Sequence, residues 1–315
     1  MISKFRIGAL VIILNFFASV AMIWGQDNPS LLQMAVPSLN IAPDARGGGM
    51  GDMGAATLPD INSQYWNAAK YAFMGSKAGV SLSYTPWLRK LVNDVALVNM
   101  TGYYKLGNSD LQAISASLRY FSLGEVNIWE NIGDVPYGLN PYEMAFDVAY
   151  SRKLSESYSM AVTLRYIRSD MGTDQNDESN AGNAFSADIS GYLEKYVLMG
   201  NAEALWSFGF NLSNIGSKIS YDGGNTNQYL PAKLTLGTGL LYPIDDYNQI
   251  GVYLDLNKYM VPYAPQKEEG ETDADYQTRV DDYKSWSSLS GMLKSFTDSP
   301  NGRSEEHTSE LQSQR

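Results

Sequence analysis

The sequence predicts an all-β protein, a transmembrane antiparallel β-barrel, on three observations. From about residue 77 to 258 the hydropathy pattern has a period of two. The connections between the periodic segments alternate long and short, the rhythm of extracellular loops and periplasmic turns in outer-membrane barrels. Aromatic residues and glycine are abundant (22 Tyr, 6 Trp, 10 Phe and 28 Gly), while no internal apolar run reaches the roughly 18 residues of a helical span.

At the N-terminus, Lys4 and Arg6 precede the apolar run Ile7 to Val20 and then small residues, the order of a secretory signal. The run is short for a retained anchor. Residues 1–25 are therefore expected to be a signal peptide, cleaved after Ala21 or Gly25. Residues 26–76 lack strand alternation and are expected to form an N-terminal periplasmic or plug segment, with 38–76 in the barrel mouth or lumen. Its Gly49-Met50-Gly51-Asp52-Met53-Gly54 fits G-x-G-x-x-G formally, yet no strand precedes it and no βαβ unit follows, so close backbone packing is the better reading.

Nine strands follow, over 77–86, 94–105, 111–122, 143–153, 157–168, 183–196, 203–214, 231–242 and 248–258. In the third, Ile114, Ala116, Leu118 and Tyr120 alternate with Ala113, Ser115, Ser117 and Arg119. The next two repeat this, with Met144, Phe146, Val148 and Tyr150 set against Asp147 and Ser151, and Met160, Val162, Leu164 and Tyr166 against Thr163 and Arg165. An ionised group facing lipid at mid-depth costs roughly 2 to 4 kcal/mol, so Arg119, Asp147 and Arg165 are expected to point inward. A soluble β-sandwich would share the alternation but not the long-short rhythm of connections. Nine is an odd count, whereas single-chain bacterial barrels have even counts, so the barrel over 77–302 is expected to be incomplete. Arg303-Ser304-Glu305-Glu306-His307-Thr308-Ser309-Glu310-Leu311-Gln312-Ser313 resembles the translation of a sequencing adapter, and 303–315 are expected to be artefactual.

Composition narrows the function. The net charge is −11 with no basic stripe, which argues against a nucleic-acid partner. Cysteine is absent and the one histidine, His307, lies in the suspect tail. Thiol and Ser-His-Asp catalysis and the usual zinc sites are thereby excluded, and neither metal nor cofactor is expected.

Several stretches resemble the PorV family, the FadL-like outer-membrane barrels of the type IX secretion system. They are Ser38 to Gly51 (SLNIAPDARGGGMG), Asn62-Ser63-Gln64-Tyr65-Trp66-Asn67, Ser83-Tyr84-Thr85-Pro86-Trp87-Leu88, Ser117 to Ser122, and Asn211-Leu212-Ser213-Asn214-Ile215-Gly216 followed by Leu230-Pro231-Ala232-Lys233-Leu234. The similarity runs over roughly 30 to 302. One departure is Ala68, where the family usually has proline. The resemblance implies a barrel of 14 strands, about five of them missing here. It also implies a non-enzymatic role: binding the C-terminal signal domains of cargo leaving the type IX translocon, and passing cargo to a surface attachment complex containing the sortase.

Pro43, Asp44, Arg46, Gly47, Gly51, Tyr65, Trp66 and Asn67 are expected to form the plug motif. In the first long connection, Trp87 and Leu88, flanked by Arg89 and Lys90, are the expected partner-binding anchors, because an apolar pair at a loop tip suits a partner surface. The competing reading of Trp87 is an aromatic girdle residue at the lipid headgroups. The fifth connection carries Glu268, Glu269, Glu271, Asp273, Asp275, Asp281 and Asp282 and is expected to stay solvated. Two other functions compete: uptake of a small hydrophobic solute, as in FadL relatives, and lipopolysaccharide deacylation, for which no Ser-Asp or Ser-Lys motif is visible.

Overall fold

The computed structural model describes residues 32–87, 89–90, 94–107, 110–128, 135–172, 181–200, 202–224, 226–267 and 270–297. The expected signal peptide, Leu88, Glu268, Glu269 and the tail from Arg303 lie outside the described residues.

Strand-forming alternation builds one nine-stranded antiparallel sheet from β1 (Ala78–Pro86), β2 (Val95–Leu106), β3 (Gln112–Leu123), β6 (Tyr142–Lys153), β7 (Tyr158–Asp170), β8 (Gly182–Met199), β9 (Ala202–Gly216), β10 (Lys233–Pro243) and β11 (Gln249–Tyr259). Each strand pairs with its predecessor in this series, so the topology is a meander, with β1 and β11 at its margins. Every predicted strand has its counterpart. The sheet is barrel-like and open. Between β3 and β6 the chain adds a small hairpin of β4 (Val126–Ile128) and β5 (Tyr137–Leu139), which the sequence reading treated as loop.

Turn chemistry fixes the short connections. Gly107 and Asp110 take positive φ of 69° and 52° between β2 and β3. Between β10 and β11, the Asp245 carboxylate accepts the N–H groups of Tyr247 and Asn248 at 2.8 and 2.7 Å.

Burial follows the alternation read from the sequence. In β3, Ile114, Leu118 and Tyr120 are exposed while Ala113, Ser115, Ser117 and Arg119 are buried; in β6 and β7, Phe146, Val148, Val162 and Leu164 are exposed while Asp147, Thr163 and Arg165 are buried. The outer face is thus apolar and uncovered. The inner face is lined by small and polar side chains, and residues 32–76 lie against it.

The core therefore sits between one sheet and an irregular segment. Small side chains make this possible. Ala113, Ala149 and Ala161 on the wall let the 3-10 helix Ala68–Phe73 approach, and its Ala68, Ala69 and Tyr71 pack there with Tyr103 and Tyr192. A second cluster joins Ala35, Val36 and Leu39 to Ala145, Ile167, Ala184, Ile219 and Leu230. In the fifth connection, helices Asp273–Ser285 and Ser288–Lys294 are capped by Thr272 and Ser287. The first helix buries nothing, in keeping with its acidic composition, and Met292 of the second packs on Ala232 and Met260. The sequence reading placed no helix here because the first one has no apolar stripe.

Candidate functional site

The segment 32–76 is tied to the inner face along its length. The Ser83 hydroxyl of β1 donates to the Pro43 carbonyl. From β3, Arg119 donates to the carbonyls of Ser38 and Ile41 at 2.7 and 2.8 Å, and its guanidinium lies 4.6 Å from the centre of the Tyr65 ring. Glu143 of β6 accepts the Ser38 N–H at 3.0 Å, and Ser159 of β7 donates to the Ala69 carbonyl at 2.7 Å. Asn67, wholly buried, donates to the carbonyls of Ala55 and of Gly191 on β8, both at 2.9 Å. Ser207 and Asn211 of β9 donate to the carbonyls of Ala56 and Trp66, and Asp255 of β11 accepts the N–H groups of Gly54 and Ala55.

Inside the segment, Asp44 is the organising residue. It is buried, caps the helix Ala45–Gly49 by accepting the Gly47 N–H at 2.8 Å, and accepts the Trp66 indole N–H at 2.7 Å. A side chain at Gly47 would run into the Trp66 ring, and Gly51 takes φ of 77° at the exit of that helix. Arg46, more exposed, pairs with Asp60 at 2.5 Å. Of the residues expected as the plug motif, Asp44, Gly47 and Tyr65 are thus brought together around Trp66, with Tyr65 and Asn67 reaching from the same turn to the wall. Ala68 takes the first position of its 3-10 helix, where a proline's missing N–H would cost little, so the departure from the family pattern leaves the turn intact.

Sequence reasoning missed Lys70. Its side chain is fully buried, and its ammonium donates to the Gly54 carbonyl at 2.8 Å and the Thr57 hydroxyl at 3.1 Å, with no carboxylate among the described residues in direct contact. Burial lowers its pKa to about 8, against weaker opposing influences from Asp60, Asp255 and Asp44.

A buried ion-paired cluster fixes β6, β7, β8 and β9 to one another. Arg165 bonds Asp147 at 2.6 Å and Asp188 at 2.8 Å and also donates to the Asn214 side chain; Ser117 donates to Asp147, and the Asn214 N–H donates to Asp188 at 2.8 Å. A β-bulge brings these groups together. The β8–β9 register slips between the pairs Ala187–Ile215 and Ile189–Leu212, and Asn214 takes φ of 60° there. Arg119, Asp147, Arg165, Asn214, Lys233 and Asp255 help to line a cavity between plug and wall, about 30 Å³, enough for a water but not for a solute. Among the described residues no group of three or more His, Cys, Asp and Glu is placed to hold a metal ion.

The first connection presents a different surface. Inward-facing positions of β1 are the odd-numbered ones, and Trp87 continues that set; its ring meets Phe121 of the inner face edge-on at 6.4 Å. Its N–H donates to the Val95 carbonyl at 2.9 Å, and 41% of the residue is exposed. Trp87 therefore lies at the rim of the inner face, on the opposite side of the strand from the outward Tyr84.

Comparison with curated proteins gives no match. The family model of the type IX secretion system protein PorV matches residues 25–267, which takes in the plug and all nine strands of the sheet and ends before the two helices of the fifth connection. The match covers well over half of the sequence, and the chain belongs to the PorV family of type IX secretion system proteins.

Proposed function

We propose that this chain is an outer-membrane β-barrel that binds secreted cargo by its C-terminal signal domain and carries it, without catalysis, from the type IX translocon to the surface complex containing the attaching sortase. Membrane insertion is supported by the outer face, where Val80, Leu82, Leu164 and Phe185 are each about 70% exposed, an arrangement that suits lipid and not water. The observation that carries the shuttle reading is the plug. Hydrogen bonds to β1, β3, β6, β7, β8, β9 and β11 hold residues 38–69 against the inner face. The cavity lined by Arg119 and Arg165, about 30 Å³, falls far below the roughly 300–1,000 Å³ of small-molecule pockets, so at that point there is no room for a solute.

Partner binding then falls to the long connections, and Trp87 with Leu88 is the anchor we assign. Trp87 packs at the inner rim rather than in the outward aromatic set, so its exposed edge is offered to a partner rather than to lipid headgroups. Replacing both residues with alanine is expected to abolish co-purification of cargo and translocon while the barrel still assembles. Undiminished co-purification would remove this connection as the anchor.

A further inference from the structure

We propose that the outward face of β1, β2, β3 and β6 holds one phospholipid of the periplasmic leaflet, its acyl chain lying in an apolar furrow and its phosphate at Lys77. This rests on the outer-membrane reading above, with the short turns on the periplasmic side.

The furrow is a consequence of strand register. Gly102 of β2 pairs with Ala116 of β3, and the row continues to Val80 on β1 and Val148 on β6, so small side chains lie side by side across the strands. Taller neighbours border it. Tyr104 and Ile114 stand on the side nearer the short turns, and Met100, Leu118 and Phe146 on the other, flanking an open furrow of about 680 Å³ with an almost wholly apolar lining. That volume lies within the roughly 300–1,000 Å³ range of ligand pockets.

The glycine is not required by the backbone. Gly102 does not take positive φ, and a β-carbon there would meet nothing nearer than the Gly79 carbonyl oxygen at 3.5 Å. A larger side chain would fit and would fill the furrow, so what glycine provides at this position is the space.

Charge identifies the occupant. Lys77 immediately precedes Ala78, which lines the furrow, and its ammonium lies 5.9 Å from the centre of the Tyr104 ring. It donates to the Gly107 carbonyl and pairs with Asp110 at 3.4 Å, but both side chains of the pair are about half exposed, so the pair is weak and an anion can compete for the ammonium. A cation beside a tyrosine at the periplasmic end of a lipid-facing furrow is where a phosphodiester above an acyl chain would sit.

The test uses the protein extracted from outer membranes in mild detergent, with bound lipid counted by native mass spectrometry and assembly followed by heat-modifiable gel migration. The wild type should retain one phospholipid through repeated detergent washing, and Gly102→Leu combined with Ala116→Leu should retain several-fold less. Lys77→Glu should lose the preference for phosphatidylglycerol over phosphatidylethanolamine on reloading from vesicles of each. Should the double variant fail to assemble, Gly102→Ala, for which the structure has room, is expected to lower retention in part. Equal retention by wild type and an assembled filled variant, or none by a membrane-inserted wild type, overturns the furrow alone. Recovery of the wild type outside the membrane fraction overturns the outer-membrane reading and this proposal together.

Discussion

The carbonyl oxygen of Ala55 occupies the space that a β-carbon on Gly209 would need. Gly209 pairs in register with Gly237 of β10, and Ala55 and Ala56 also crowd the position of a β-carbon there, so two facing glycines open a gap in the wall that the plug backbone fills. Gly209→Val should therefore lift residues 54–56 off the sheet and break the bonds from Asp255 and Ser207. The expected cost is about 1–3 kcal/mol. Urea unfolding in detergent measures it, and protease access to the plug should rise in parallel.

Arg165 lies between two buried carboxylates, and removing it leaves both without their cation. Arg165→Met is expected to destabilise by about 3–5 kcal/mol, whereas replacing Arg165, Asp147 and Asp188 together by apolar residues of similar volume should cost much less. Comparing the midpoints of the two variants separates a stabilising cluster from one that only penalises its own disruption.

Lys70 makes stability depend on pH. Its folded pKa of about 8 lies below the ordinary 10.5, so between these values the unfolded chain holds a proton that the folded chain has released. Stability should accordingly rise with pH across that window, by on the order of 3 kcal/mol in full. In Lys70→Met the rise should vanish. A wild-type slope no steeper than the variant's would mean that water reaches the ammonium.

Leu164 and Thr163 are neighbours on β7 that face opposite ways, the first exposed and the second buried. Leu164→Lys should impede assembly into lipid vesicles, costing about 2–4 kcal/mol if the residue lies at mid-depth. Leu164→Ile should be nearly neutral. Unimpaired insertion of the lysine variant would place this face in water.

The sheet was legible in the sequence because each strand carries its own period, as in Ile114 to Arg119, and because a one-residue slip would move every apolar side chain to the wrong face. The contacts within the segment expected as the plug were not legible. Asp44 and Trp66 are 22 positions apart and Gly54 and Asp255 are 201 apart, and nothing local marks such pairs. Lys70 was invisible for a related reason: a lysine reads as exposed until the wall that buries it is known. Gly209 and Gly237 did leave a signal, an unfilled inward position in two adjacent strands, which register alone could have interpreted.

The length of the connections made by the plug sets an order of events. Residues 54 and 55 are anchored by Asp255 on β11, and Asn67 by Gly191 on β8, separations of 200 and 124 positions in the second bond of each. The segment that is made first therefore finds its last partners only after the final described strand is in place. Until then the N–H groups of Gly54 and Ala55 lack the carboxylate that accepts them, and this stretch of the plug cannot settle on the wall. Slow, non-local closure of this kind leaves a long interval of vulnerability, in which a protease cuts or a chaperone shelters the same stretch of chain.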